Sequence, residues 1–519
     1  MPKQLLRHLF VLASASLSLA AEPCPPAPNQ ASGASWNGWA DAANTRFQNA
    51  KSAGLTAQTT PNLKLKWAFG FPNVTTAFGA PTVFAGRVYV GAADGVVYSL
   101  DARTGCTEWT FTAASGVRVA PVLDNNGKSV YFGDLKANIY ALDAQSGHQI
   151  WKTLADDQSG AVITGSPKLD SGRLYIPVSG RDESMAATNP AYECCKFRGN
   201  IVALDTATGK RIWQTFTIAE NSKPTGQNAK GAKTWGPSGA VPWSSPTLDL
   251  QKKVLYTGTG VNYSKPPTAT SDAILAIDMN SGRLLWSRQF TADDSWNFAC
   301  GPTADKTNCP KLPFIDADLG NSGTLRSLPG GKRILVTSDK GGTVWAIDPD
   351  HEGAIVWKQK IAAGGVNGGT MWGGASDERA AYIGISDFAA GKPEVGGGLV
   401  ALQLATGEKL WQTPAPKPAC LGKPNCSSAQ PAPVSAIPGV VFLGSWDGHI
   451  RAYEAAAGKI IWDFDTLQDF PTVNGVKAHG GSINSVGPAI AGSMLYVTSG
   501  YSGNGMQGNV LLAFSIDGK

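Results

Sequence analysis

One phrase returns along the chain and limits what it can fold into. It reads strand, small residue, Asp or an equivalent, a turn with Gly, an apolar pair, then Trp. The copies are "VYSLDARTGCTEW", "IYALDAQSGHQIW", "IVALDTATGKRIW", "ILAIDMNSGRLLW", "VWAIDPDHEGAIVW", "LVALQLATGEKLW" and "IRAYEAAAGKIIW", ending at Trp109, Trp151, Trp213, Trp286, Trp357, Trp411 and Trp462. An eighth copy is split between the chain ends. "LLAFSIDGK" holds the strand and turn, and "NLKLKWAFGF" holds Trp67. A single hairpin-bearing repeat of this size cannot bury its own faces, so the copies must stack side by side. The expected fold is all-β, an eight-bladed β-propeller closed by pairing N- and C-terminal strands in one blade. Each repeat Trp is expected to pack between neighbouring blades, where an aromatic ring buries the most apolar area.

Spacing separates lean blades from enlarged ones. Successive Trp positions lie 42 residues apart from Trp67 to Trp109 and from Trp109 to Trp151, and 73 apart from Trp213 to Trp286. The blades ending at Trp213, Trp286 and Trp357 carry the insertions, so residues 155 to 345 hold most of the unusual loops. Function concentrates on such loops when a rigid scaffold positions them. The 61 Gly, 16 Trp and low charged fraction of 16% fit many short strands and tight turns.

Residues 1–20 combine Lys3, Arg7 and His8 with an apolar run and a Ser18-x-Ala20 cleavage pattern, the form of a secretory signal. The mature protein is therefore expected to be periplasmic or secreted, with residues 21–519 forming one domain. No later segment has the apolar length of a membrane span. The formal charge of +5 is spread without a basic run and indicates no nucleic-acid partner.

An exported chain can keep disulfides. Cys300 with Cys309 and Cys420 with Cys426 are spaced to staple single loops; Cys24 would then join Cys106, leaving the adjacent Cys194 and Cys195 for each other. Connectivity is not determined by spacing alone. Signatures of serine hydrolases, P-loop enzymes, HExxH zinc enzymes and covalently bound haem are missing. "GNGMQG" at Gly503 to Gly508 precedes a strand and does not open a helix, so it reads as a loop.

Beyond the repeat, "WNGWADAANTRFQNA", "YECCKFRGN", "VPWSSPTLDLQKKVLYTGTG", "GGTVWAIDPD" and "GYSGNGMQGNVLLAF" resemble the pyrroloquinoline quinone (PQQ) alcohol dehydrogenases over nearly the whole chain. Within that family the likeness is to polyvinyl alcohol dehydrogenases. The resemblance implies PQQ in the funnel of the propeller with Ca²⁺ against the quinone.

It also implies roles for particular residues. A Cys194–Cys195 disulfide would form a stiff cover over one face of PQQ, with Trp243 stacking on the other and Trp235 in reserve. Glu183 would be a Ca²⁺ ligand, with Asp182 as its neighbour. Where the family has an Asn ligand after "GTG", this chain has Val261, so Asn262 is the candidate in its place, with Asp318 completing the metal set. The Trp-Asp pair of methanol dehydrogenases reads Trp296-Asn297 here. The general base is therefore expected at Asp318, with Asp316 second. Lys340 would stabilise the reduced quinone oxygens, and Arg118, Thr164 and Ser179 would bind PQQ carboxylates.

The implied activity is oxidation of an alcohol, secondary and possibly polymeric, with electrons passing to a separate carrier such as a cytochrome c. The competing class is a non-catalytic propeller serving as a periplasmic scaffold, which uses similar repeats without PQQ. A change of substrate to an aldehyde or a sugar alcohol is the third reading.

Overall fold

The computed structural model describes residues 33–310 and 315–518. The signal segment and Cys24 lie outside the described residues. Eight sheets of four main strands are arranged as successive blades. The first runs through Thr82–Phe84, Arg87–Gly91, Val96–Asp101 and Thr107–Thr112, and blades two to seven follow in chain order. The eighth is composite. Ala489–Ala491, Met494–Ser499 and Val510–Ser515 are joined by Lys64–Gly70 from the other end of the chain, which pairs antiparallel with Val510–Ser515. This is the closure expected from the split repeat.

The repeat works because each copy completes its neighbour. The Trp109 indole N–H donates to the Ala144 carbonyl at 3.0 Å, and Trp67, Trp151, Trp213, Trp357 and Trp411 do the same one blade on. Trp462 donates to Leu63 and so ties the seventh blade to the composite one. The turn Gly lies against the same ring: a Cβ on Gly147 would come within 2.7 Å of Trp109, and its φ is +74°. Glycine is needed there for both space and backbone conformation. The turn Asp accepts its own following N–H groups, as Asp143 does from Ser146 at 2.8 Å, a local Asx closure.

The N-terminal segment forms a strap across the hub. Trp36 pairs with Val83 in the first blade, and the Asn37 side chain meets Leu123 in the second. Lys168 of the third blade donates to the carbonyls of Ala40 and Asp41. Leu248, Leu325 and Ser376 donate to Ala42, Ala43 and Thr45, Ala436 pairs with Arg46 and Gln48, and Gln48 reaches Ile490 in the eighth. Thirteen residues therefore touch the innermost strand of every blade in turn. This explains the "WNGWADAANTRFQNA" motif: its polar residues satisfy backbone groups at the axis that would otherwise be buried without partners.

Candidate active site

The loops entering the inner strands at the other end of the axis enclose a cavity of about 230 Å³. Arg118, Thr164, Ser179, Glu183, Trp243, Asp318 and Lys340 all line it. Residues from blades two to five, up to 222 positions apart in the chain, are thus brought to one volume. Between cavity and strap, a gap lined by Arg46, Ser244, Asn321 and Trp372 measures about 20 Å³, room for roughly one water.

The acidic end of the cavity is built around Lys340. Its ammonium lies 2.7 Å from Asp318 Oδ2 and 3.2 Å from Asp316 Oδ2. Burial works against that charge, but Asp316 and Asp318 outweigh it and hold the ammonium above its ordinary pKa. Asp318 Oδ1 accepts the Val261 N–H at 2.6 Å. Asp316 is fully buried, and burial raises its pKa above the usual carboxylate range. Of the two aspartates only Asp318 reaches the cavity wall. Gly260 is required beside it, since a Cβ there would meet Asp318 Oδ1 at 2.5 Å.

Glu183 stands on a short helix, Asp182–Thr188, that follows the strand Arg173–Gly180. Burial pushes its carboxyl up to about 8, with the Asp318 charge adding and Lys340 opposing. Asp182 faces the other way. It accepts the Tyr192 hydroxyl at 2.7 Å and the N–H groups of Lys196 and Phe197 at 2.6 and 2.8 Å, which pins the loop carrying the two cysteines.

An aromatic wall completes the cavity. Trp243 packs edge-on against Trp372 at 4.7 Å, and the Lys340 ammonium lies 5.7 Å from the Trp243 ring and 5.8 Å from the Trp296 ring. Gly320 leaves space for Trp243, because a Cβ would approach the indole to 2.4 Å. The Arg118 guanidinium sits 4.9 Å from the Trp372 ring. Thr164 and Ser179 hydroxyls are 2.9 Å apart, and Ser179 donates to Pro242. Three buried donors on the wall, Arg118 Nη2, Trp243 Nε1 and the Tyr263 hydroxyl, have no hydrogen-bond partner among the described residues. Buried donors are normally paired, so three without partners among residues of one wall stand out.

Three expectations are corrected. Asn262 does not reach the cavity: its amide donates to the Ser238 carbonyl at 3.0 Å and accepts the Thr268 N–H at 2.8 Å. Strand alternation is the reason, since Asn262–Ser264 sends residue 263 to the opposite side from 262 and 264. Cys194 and Cys195 are disulfide-bonded, but they are not among the lining residues. They lie within the apolar cluster that also includes Val241, Tyr263 and Trp296, three residues that do line the cavity. Trp235 donates its backbone N–H to Cys194, accepts the Cys195 N–H and donates its indole N–H to Glu193, so it braces the cysteine loop and does not line the cavity.

Asn297 likewise braces the site, donating to the carbonyls of Tyr263 and Asn308. Disulfides join Cys300 to Cys309 and Cys420 to Cys426 as spaced. The residues missed by sequence reasoning are Gly180, Val241, Tyr263, Trp296, Phe298 and the stretch Val366, Asn367, Met371 and Trp372. The last group belongs to the sixth blade, beyond the insertions searched, and its Gly-rich "GGTMWGG" was the available signal.

A ring of eight sheets whose loops enclose a cavity carrying an acid–ammonium pair and an indole wall defines the class: an eight-bladed β-propeller with a polar, aromatic-walled cavity. Comparisons with known proteins agree. Residues 36–305 match the family described as glucose/ethanol/alcohol dehydrogenase, beta-propeller domain, and residues 198–442 and 395–518 match the outer membrane protein assembly factor BamB family. A polyvinylalcohol dehydrogenase of a Pseudomonas species is 40% identical over 93% of this chain and 77% of its own length. One from a Sphingopyxis species is 38% identical over 99% of this chain and 82% of its own. The solved quinohemoprotein alcohol dehydrogenase of Comamonas testosteroni superposes with a TM-score of 0.69 at 19% identity, covering 95% of this chain and 82% of that one. The solved BamB of Moraxella catarrhalis, at 0.52 and 16%, covers 87% of this chain and 98% of its own and shares the fold. The chain belongs to the PQQ-dependent dehydrogenase propeller family and is a homologue of its alcohol dehydrogenases.

The wall residues fit PQQ, a flat quinone with three carboxylates: it offers acceptors for the three unpartnered donors, a face for Trp243 and negative charge for Arg118 and Lys340. For Ca²⁺ the protein donors reduce to Glu183 and Asp318. Among the described residues no three His, Cys, Asp or Glu side chains gather closely enough to hold a metal by themselves.

Proposed function

We propose that this protein is an exported, PQQ-dependent dehydrogenase of secondary alcohols, with polyvinyl alcohol as the substrate class, and that residues 21–519 act as one catalytic domain after removal of residues 1–20. The observation that carries the reading is the Asp318–Lys340 pair at 2.7 Å beside three buried donors without acceptors. The names of the two relatives at 40% and 38% identity support the substrate class.

PQQ, when bound, supplies the two-electron oxidising centre. The protein does the rest. Asp318 accepts the hydroxyl proton of the alcohol; of the two aspartates beside Lys340 it is the one that lines the cavity, and general-base assistance of this kind contributes about 10²- to 10⁴-fold. Lys340 holds a fixed positive charge beside it, which favours negative charge developing on a neighbouring oxygen. Arg118 binds a carboxylate of the cofactor, with Thr164 and Ser179 on the same wall, and Trp243 provides an apolar face. Glu183 and Asp318 would hold Ca²⁺, the remaining oxygens of its six to eight coming from cofactor and water. The indoles and Phe298 keep bulk water from the reacting groups. Electrons leave to a separate carrier of the cytochrome c type.

The test is reconstitution. Purified protein is loaded with PQQ, with and without Ca²⁺, and dye reduction is followed with polyvinyl alcohol, a short secondary alcohol, a primary alcohol, an aldehyde and a sugar alcohol. Turnover is expected with the secondary alcohols and the polymer. Silence on the whole panel at every metal concentration would return the chain to the scaffold class, and turnover confined to the aldehyde or sugar alcohol would replace the substrate.

A further inference from the structure

The Tyr263 hydroxyl stands apart from the other polar groups of its strand. Tyr263 is 1% exposed, lines the cavity, and its hydroxyl has no hydrogen-bond partner among the described residues. Its neighbours in the strand are fully engaged: Asn262 with Ser238 and Thr268, and the Ser264 hydroxyl with that of Ser238 at 2.6 Å. The Tyr263 carbonyl accepts the Asn297 amide at 3.0 Å, so the backbone that carries the ring is fixed. A phenylalanine would fill the same space without burying an unpaired hydroxyl, which costs about 1–3 kcal/mol. Packing therefore does not account for the oxygen.

We propose, on the PQQ reading given above, that the Tyr263 hydroxyl is a cofactor-recognition group that donates its hydrogen to an oxygen of the bound quinone. It shares the wall with Arg118 Nη2 and Trp243 Nε1, the two other donors left without acceptors. Burial, then the charges of Glu183 and Asp318, hold the phenol well above its ordinary pKa, so it remains a donor throughout the working range of pH. The three together present hydrogens around one cavity, an arrangement suited to a ligand rich in carbonyl and carboxylate oxygens and poor in donors.

The experiment compares wild type with Tyr263→Phe, both as apoprotein. PQQ is titrated and its dissociation constant read from quenching of tryptophan fluorescence; melting temperatures are taken with and without PQQ. The expected result is an apoprotein at least as stable as wild type, a dissociation constant raised about tenfold, and a smaller PQQ-induced rise in melting temperature. An unchanged dissociation constant overturns the proposal. So does a rise in KM for the alcohol in the reconstituted enzyme with PQQ binding unaltered, which would give the hydroxyl to the substrate. A loss of apoprotein stability with unchanged PQQ binding would make it a structural partner and overturn it equally. Wild type that binds no PQQ sinks the underlying reading, an outcome separate from any difference between the two proteins.

Discussion

Two arginines on the same axis have opposite surroundings. At the strap, Arg46 is buried to 3% exposure and every nitrogen is engaged: Nε with Val434 O at 2.6 Å, Nη1 with Trp39 O at 2.5 Å, Nη2 with Ser435 Oγ at 2.7 Å and Pro488 O at 3.4 Å. At the cavity, Arg118 rests its guanidinium on aromatic faces and its Nη2 has no acceptor among the described residues. Burial lowers the Arg46 pKa to about 9, yet its bonds cross from the strap to the seventh and eighth blades and hold the hub closed. The difference teaches how to read buried polar groups here. Those that find partners within the chain hold the fold together, whereas those that gather unpaired on one wall mark where a second molecule completes the structure.

That contrast can be broken most severely at Asp318. Asp318→Asn keeps the shape and removes the basic oxygen, so turnover should fall about 10³-fold while PQQ remains bound. Steady-state rates and the absorbance of bound PQQ check both halves. Retained turnover would take Asp318 out of the reaction.

Arg46→Ala should do the reverse. It leaves buried carbonyls of three segments unpaired, at a cost to folding of about 3 kcal/mol, with kcat per folded molecule unchanged. Denaturant unfolding and active-site titration together decide it. A lowered kcat with normal stability would mean that the strap takes part in the chemistry.

Glu183→Gln gives the smallest effect and the sharpest sign. The Glu183 pKa is raised from 4.5 to about 8 in the folded chain, so ionising it penalises the fold increasingly as pH rises from about 4.5 and fully above about 8. Removing the charge should stabilise the apoprotein by about 1 kcal/mol near pH 9, leave stability at pH 4 unaltered, and still impair turnover. Thermal melts across that pH range test it; destabilisation at pH 9 would place Glu183 with the structural groups and not with the ligand-facing ones.

The fold was legible because its information is local and repeated. Trp109 meets Gly147 and the Ala144 carbonyl in the next copy of the same phrase, so the offset that makes the contact is written in the chain. Seven of the cavity residues were legible through motifs at the mouths of inner strands, where scaffold geometry is shared across a family. Asn262 was misplaced because its side is decided by strand alternation, and the pairing of Ser238–Gly239 with Asn262–Ser264 is not visible in "GTGVNYS". The cysteine pair shows the same division: adjacency implied the bond, but only the tertiary structure shows that the pair is buried in an apolar cluster and is not among the residues lining the cavity.

By itself the sequence determined the number of blades, the packing of the repeat Trp residues between neighbouring blades and the closure of the ring by its two ends, because those contacts fall at the same point of each copy of the phrase, whatever the spacing between copies. The tertiary structure alone decided which buried polar atoms go unpaired. Arg118 comes from the second blade and Trp243 and Tyr263 from the fourth, and whether a donor meets an acceptor depends on where distant segments converge, a property that no spacing along the chain encodes.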